Sequence, residues 1–182
     1  MNVALLVLRV VVGALFAGHG AQKLFGWFGG HGPDGTGKAF ESLGIAHGRT
    51  MAILAGASEL VGGVLFASGL VTPLGAALLS AVMIVAIWTV HRANGLWITQ
   101  NGYEYNLVLL AVLFAVTAAG AGEWSLDGVL DLDLAGEGWA LAQLAAGILG
   151  AVVALGVQRG SIVHLRRSSD VPCLDTTKGT TR

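Results

Sequence analysis

The chain has 182 residues, of which 54% are hydrophobic and only 12% charged, with a formal net charge of −1. Soluble domains carry about 25% charged residues, so this composition points to a surface that meets lipid. The single cysteine, Cys173, excludes an internal disulfide and a CxxC redox pair, and no basic patch interleaves with aromatics as nucleic-acid binding requires.

The first apolar segment runs from Val3 to Phe25. No basic residue precedes it, Arg9 interrupts it and no small-x-small site follows, so a retained helix is expected rather than a cleaved signal. At about 100° per residue, Arg9, Gly13, Phe16, Gly20 and Lys23 fall on one stripe, which predicts a face packed against other helices. Arg9 either snorkels to nearby headgroups or pairs with Glu59 inside a bundle. His19 and Gln22 lie next to Lys23 on the helix. The readings for His19 are a packing residue, a proton relay, a quinone hydrogen bond or a haem ligand, with His91 as the one plausible second haem ligand. Lys23 suits an interfacial anchor or a contact to an anionic headgroup or substrate.

A glycine-rich connection follows, with Trp27 and Phe28 suited to the membrane interface. Gly32 to Lys38 imitates part of a phosphate-binding loop, but Ala39 stands where the magnesium-binding Ser or Thr should be and no strand precedes it. A short interfacial helix from Lys38 to Leu43 is expected instead.

The second segment, Thr50 to Leu70, carries Glu59 near its middle. A carboxylate in such a segment costs roughly 2.5–3.5 kcal/mol on insertion scales and so has a partner or a role. Ala55, Glu59 and Gly63 share one face, with Gly56 and Gly62 beside it, which places Glu59 against protein rather than lipid. Thr72 and Pro73 break the chain before a third segment, Leu74 to Val90. The fourth runs from Tyr103 to Ala121 and opens with Glu104 and Asn106; Tyr103 and Tyr105 fit an aromatic belt. An acidic connection then leads to a fifth segment, Trp139 to Val157, rich in Ala and Gly and carrying Gln143. The tail from Ser168 is polar and expected to be disordered.

With five spans, every Lys and Arg except Arg9 falls on one side, which predicts an outside N-terminus and an inside C-terminus. The expected fold is an all-α integral membrane protein with a four-helix transmembrane core (residues 1–127), an acidic loop and additional helix (128–158) and a basic tail (159–182).

Arg9, the run Gly18–Gly30, the run Ser58–Ala76, the stretch Asn101–Asn106 and Ser125–Asp127 together resemble the DoxX family (DoxX/DoxD-like membrane proteins). The resemblance covers residues 3–127 and implies a four-helix protein of a bacterial or archaeal cell membrane, working near membrane redox chemistry. One branch of the family is associated with thiosulfate:quinone oxidoreductase, another with a membrane complex handling thiol and superoxide stress. Arg9, His19, Lys23, Glu59 and Glu104 carry over as motif positions without assigned roles; the fifth segment departs from the family's pattern.

The leading expectation is a membrane subunit of a quinone-linked redox system. Glu59 and His19 are its candidate catalytic residues, and Arg9, His19, Gln22, Lys23, Glu104 and Asn106 its candidate quinone contacts, with no metal site. Electrons would come from a soluble redox partner, because the chain shows no flavin or iron–sulfur motif. Two other classes fit: a proton-coupled transporter or channel, which at five spans implies a homo-oligomer, and a membrane scaffold for a soluble enzyme.

Overall fold

The computed structural model describes residues 2–169, with side chains described as far as residue 157. The helices are α1 (Asn2–Phe25), α2 (Gly32–Ser42), α3 (Gly48–Ser68), α4 (Thr72–Ala86), α5 (Glu104–Ala119), α6 (Leu126–Val129) and α7 (Glu137–Ser169), and the described residues contain no strand. Helix α4 continues without a break into a π turn at Ile87–His91 and a 3-10 turn at Arg92–Asn94. Residues 170–182 lie outside the described residues, and with them most of the tail expected to be disordered.

Four helical stretches are long and apolar enough to cross a membrane: Asn2–Phe25, Gly48–Ser68, Thr72–Asn94 and Glu137–Val157. The protein is therefore an all-α, multi-pass membrane protein. The expected fifth segment lies within α7 and meets this criterion, whereas the expected fourth forms only the 16-residue helix α5. At about 1.5 Å per residue α5 is some 24 Å long, against a hydrocarbon core of about 30 Å. Its start is used by the preceding turn, where Glu104 N donates to Leu96 O, and Gly120, at φ +83, ends it. Even so, α5 traverses the bundle. Asn106 meets Met83 at one end, and at the other Gly136 N, just before α7, donates to Ala118 O.

Helix α1 packs closely on α3 and only lightly on α5, and α7 lies along α4 and α5 outside the first four. The α1–α3 seam needs glycine. A Cβ on Gly63 would sit 2.6 Å from both Gly13 O and Ala17 N, and backbone cannot yield to it. The buried stripe of α1 is Leu5, Arg9, Val12, Gly13, Phe16, Gly20 and Ala21, as the sequence periodicity predicts except that Lys23 is half-buried. On α3 the buried face is Ala52, Gly56, Glu59, Gly63 and Phe66, so Gly56 rather than Ala55 accompanies Glu59; Gly62 turns instead to Gly75 and Leu79 of α4. Leu5, Phe16, Phe66, Leu79, Met83, Leu109, Leu113 and Val116 form the apolar core between α1, α3, α4 and α5.

The imitation phosphate loop is helical: Pro33 enters the first turn of α2, which runs from Gly32 rather than from Lys38. The segment is therefore a helix rather than the open loop that a phosphate cradle requires. The α7 seam with α4 is also built on small residues, with Gly147 against Ser80 and Ser80 Oγ 3.3 Å from Gln143 Oε1.

Candidate functional site

Polar side chains gather at two opposite ends of the bundle. At the first, Glu59 is 4% exposed and lies between Gly56 and Gly63 on the face where α3 closely approaches α1. Lys23 Nζ reaches it from α1 and donates to Glu59 Oε2 at 2.6 Å. Among the described residues this is the one hydrogen bond to Glu59. The other face of the pair borders a cavity of about 210 Å³ whose polar lining is His19, Lys23, Glu59, His91, Tyr105 and Asn106. Phe16, Met83 and Leu109 form its apolar floor. Leu15 (51% exposed), Ile98 (54%) and Tyr105 (48%) form its rim, in line with the exposed Val11 of α1 and Val108 of α5. The mouth therefore opens on the outer, apolar surface of the bundle between α1 and α5.

Hydrogen bonds fix the ring nitrogens. Gln22 Nε2 donates to Phe28 O at 3.2 Å, which turns Gln22 Oε1 toward His19 Nδ1 at 3.0 Å. Nδ1 must then carry a proton, and in neutral His19 the Nε2 atom is an acceptor. His91 ends the π turn, and its Nδ1 lies 2.8 Å from Asn101 O, so the same assignment holds for it. π turns are frequent at functional positions because the extra residue redirects the side chains that follow. The Asn106 amide lies 3.3 Å from Met83 Sδ, a weak acceptor. Glu104 Oε2 accepts from Ile98 N at 2.9 Å and so braces the turn at the rim without lining the cavity.

At the second end the carboxylate is saturated and the guanidinium nearly so. Arg9 is fully buried and donates from Nη1 to Ala67 O at 3.3 Å and from Nη2 to Trp124 O at 2.6 Å; its Nε has no partner among the described residues. Asp127 accepts from Val71 N at 2.7 Å, Thr72 N at 3.0 Å and Thr72 Oγ1 at 2.7 Å, capping α4. Gly69 joins the two. It ends α3 at φ +65, and a Cβ there would collide with the Arg9 guanidinium.

The expected pairing of Arg9 with Glu59 is thus not formed. Arg9 is held at the far end by backbone carbonyls, and Lys23 is the partner of Glu59. Of the sequence candidates, His19, Lys23, Glu59 and Asn106 share the cavity, Gln22 orients His19 from behind, and Arg9 and Glu104 stand apart from it. Met83 joins the cavity although nothing in the sequence singled it out, Tyr105 although it fitted only an aromatic belt, and His91 although it stood out only as a haem-ligand alternative. A volume of about 210 Å³ is too small for a tetrapyrrole, since about 150 Å³ is filled by one benzene.

A membrane bundle with a polar cavity opening between two helices is the class that fold and geometry define. The DoxX family profile matches residues 4–92, which span α1 to the end of the π turn. A protein of Bacillus subtilis (strain 168) named "Putative oxidoreductase CatD" is 32% identical over 118 residues, covering 65% of this chain and 81% of that protein. The chain belongs to the DoxX family. No solved structure matches it. Arg9, His19, Gln22, Lys23, Glu59 and His91 fall inside the matched span, and the α5 lining residues fall outside it.

Proposed function

We propose that this protein is the membrane subunit of a quinone-linked redox system and that the cavity holds the quinone ring. One observation carries the reading: the bundle directs His19, Lys23, Glu59, His91 and Asn106 onto one ring-sized space whose mouth faces lipid. The family and the oxidoreductase name borne by the Bacillus relative agree with it. A membrane quinone fits this geometry, because its head is one ring and its tail can remain in the bilayer outside the Leu15–Tyr105 rim. When bound, the quinone accepts two electrons and two protons. The electrons come from a soluble redox partner, because one cysteine cannot ligate an iron–sulfur cluster.

The chain's residues position the ring and hold protons. Lys23 Nζ and the Asn106 amide N–H are the donors available to a ring carbonyl, and His19 Nε2 accepts from the hydroxyl that the reduced ring carries. Lys23, whose side chain is 21% exposed, is hydrogen-bonded to Glu59, whose side chain is 5% exposed, so the pair joins the bundle surface to the cavity and can relay a proton. By the positive-inside rule the cavity end, which carries Lys38 on α2, Arg49 at the start of α3 and Arg92 after the π turn, faces the cytoplasm of a bacterial or archaeal cell. The saturated Arg9–Asp127 end favours a one-sided site over a path for transport.

The test is to extract the protein in mild detergent and quantify quinone per chain. Near-stoichiometric quinone in the wild type, reduced about tenfold in Asn106→Leu, is expected; each tenfold step is about 1.4 kcal/mol, the scale of one hydrogen bond to a ring oxygen. Wild-type protein that carries no quinone in native membranes overturns the reading.

A further inference from the structure

Lys23 and Asn106, the two donors offered to a ring carbonyl, stand on α1 and α5, the helices that flank the cavity mouth. Each is held by an acceptor from a helix behind the cavity. Glu59 of α3 holds the Lys23 ammonium, and Met83 of α4 holds the Asn106 amide, with Asn106 Nδ2 3.3 Å from Met83 Sδ. Among the described residues Met83 is the one hydrogen-bond partner of the Asn106 side chain.

The second hold needs sulfur in particular. Met83 belongs to the apolar floor, and a core accepts exchange of Met for Leu with little loss, so packing alone does not require methionine here. What leucine lacks is an acceptor. A thioether sulfur accepts and cannot donate, so the amide nitrogen faces it; the reverse would set amide oxygen against sulfur, lone pair to lone pair. One Asn106 N–H is thereby engaged and the other is left for a ligand. Both side chains are buried, which shields this weak bond from bulk water.

We propose that Met83 is a positioning residue for the ligand: its sulfur turns the Asn106 amide so that the remaining N–H meets the ring carbonyl. The proposal rests on the quinone-linked reading and names the residue that orients one of its two donors. Without the sulfur the amide is unanchored, its two flipped orientations become nearly equal, and ordering it draws on the binding energy.

The experiment uses the full-length protein in lipid nanodiscs and a decyl-substituted benzoquinone, isotope-labelled at its carbonyls. Affinity is measured for wild type, Met83→Leu, Asn106→Leu and the double variant, counting only folded protein. Met83→Leu is expected to bind the probe about fivefold more weakly than wild type and to cause no further loss in the Asn106→Leu background. The infrared band of one probe carbonyl, lowered by the amide N–H in the wild type, is expected to return in Met83→Leu toward its position in plain lipid. Unchanged affinity with an unchanged band in Met83→Leu overturns the proposal and leaves the quinone site in place. The same fold-loss in both backgrounds also overturns it, because Met83 then acts on the ring without Asn106. Absence of saturable binding in the wild type overturns both the proposal and the quinone-linked reading beneath it.

Discussion

The two polar ends of this bundle contain similar ingredients, a buried acid and a cation from α1, arranged to opposite effect. Around Asp127, three donors from the start of α4 occupy the carboxylate, and the Arg9 guanidinium is spread across carbonyls of two other segments. Around Glu59 there is one donor, Lys23, and then open space lined by histidines and an amide. A buried acid with its acceptors filled holds helices together, whereas one left partly unfilled beside a cavity is available to a ligand. Burial alone does not separate the two, since Glu59 and Asp127 are each 4% exposed.

Perturbing the saturated end should have the largest effect on folding. Asp127→Ala leaves the buried N–H of Thr72 and the part-buried N–H of Val71 without their acceptor. At about 1–3 kcal/mol for each unsatisfied group, it is expected to lose most of its folded yield by size-exclusion of detergent extracts. Normal yield would make this end dispensable and remove the contrast. Gly63→Val comes next, because its Cβ would press on Gly13 O and Ala17 N. An overpacking penalty of about 1–3 kcal/mol should appear as a lower thermal midpoint, with Gly18→Ala, whose Cβ meets nothing within 4 Å, as the neutral comparison.

Substitutions at the open end should act on ligand more than on fold. Glu59→Gln preserves shape and loses a charge-assisted bond, so a stability loss of about 1 kcal/mol is expected together with loss of quinone-dependent proton uptake by the native complex. A loss of stability as large as that of Asp127→Ala, with proton uptake intact, would make Glu59 structural as well. The smallest effect is expected of Glu104→Gln, which keeps an acceptor for Ile98 N. Its thermal midpoint should fall by no more than the equivalent of about 0.5 kcal/mol, and quinone content should be unchanged.

Much of this was legible in the sequence. The stripe Arg9–Gly13–Phe16–Gly20 is buried as its spacing predicts, because helical periodicity is a local property. The burial of Glu59 among glycines was legible for the same reason. Which cation would meet it was not. That depends on the axial offset of α1 against α3, set by Gly13 on Gly63 and Gly20 on Gly56, and the offset brings Lys23 rather than Arg9 level with Glu59. The sequence marked Asp127 only through the Ser125–Asp127 resemblance and gave it no role, since that role comes from a turn more than fifty residues away. His91 and Tyr105 enter the cavity through the π turn and the folded connection after it, features without a hydrophobic period to reveal them.

The most direct test of the contrast is to titrate the decyl-benzoquinone and its hydroquinone into nanodisc-embedded wild type, Asn106→Leu and Arg9→Lys, counting only folded protein. One saturable site per chain in the wild type, weakened at least about tenfold in Asn106→Leu and retained in Arg9→Lys, is the predicted result. Binding that is lost in Arg9→Lys but kept in Asn106→Leu would place the ligand at the wrong end of the bundle and contradict the account.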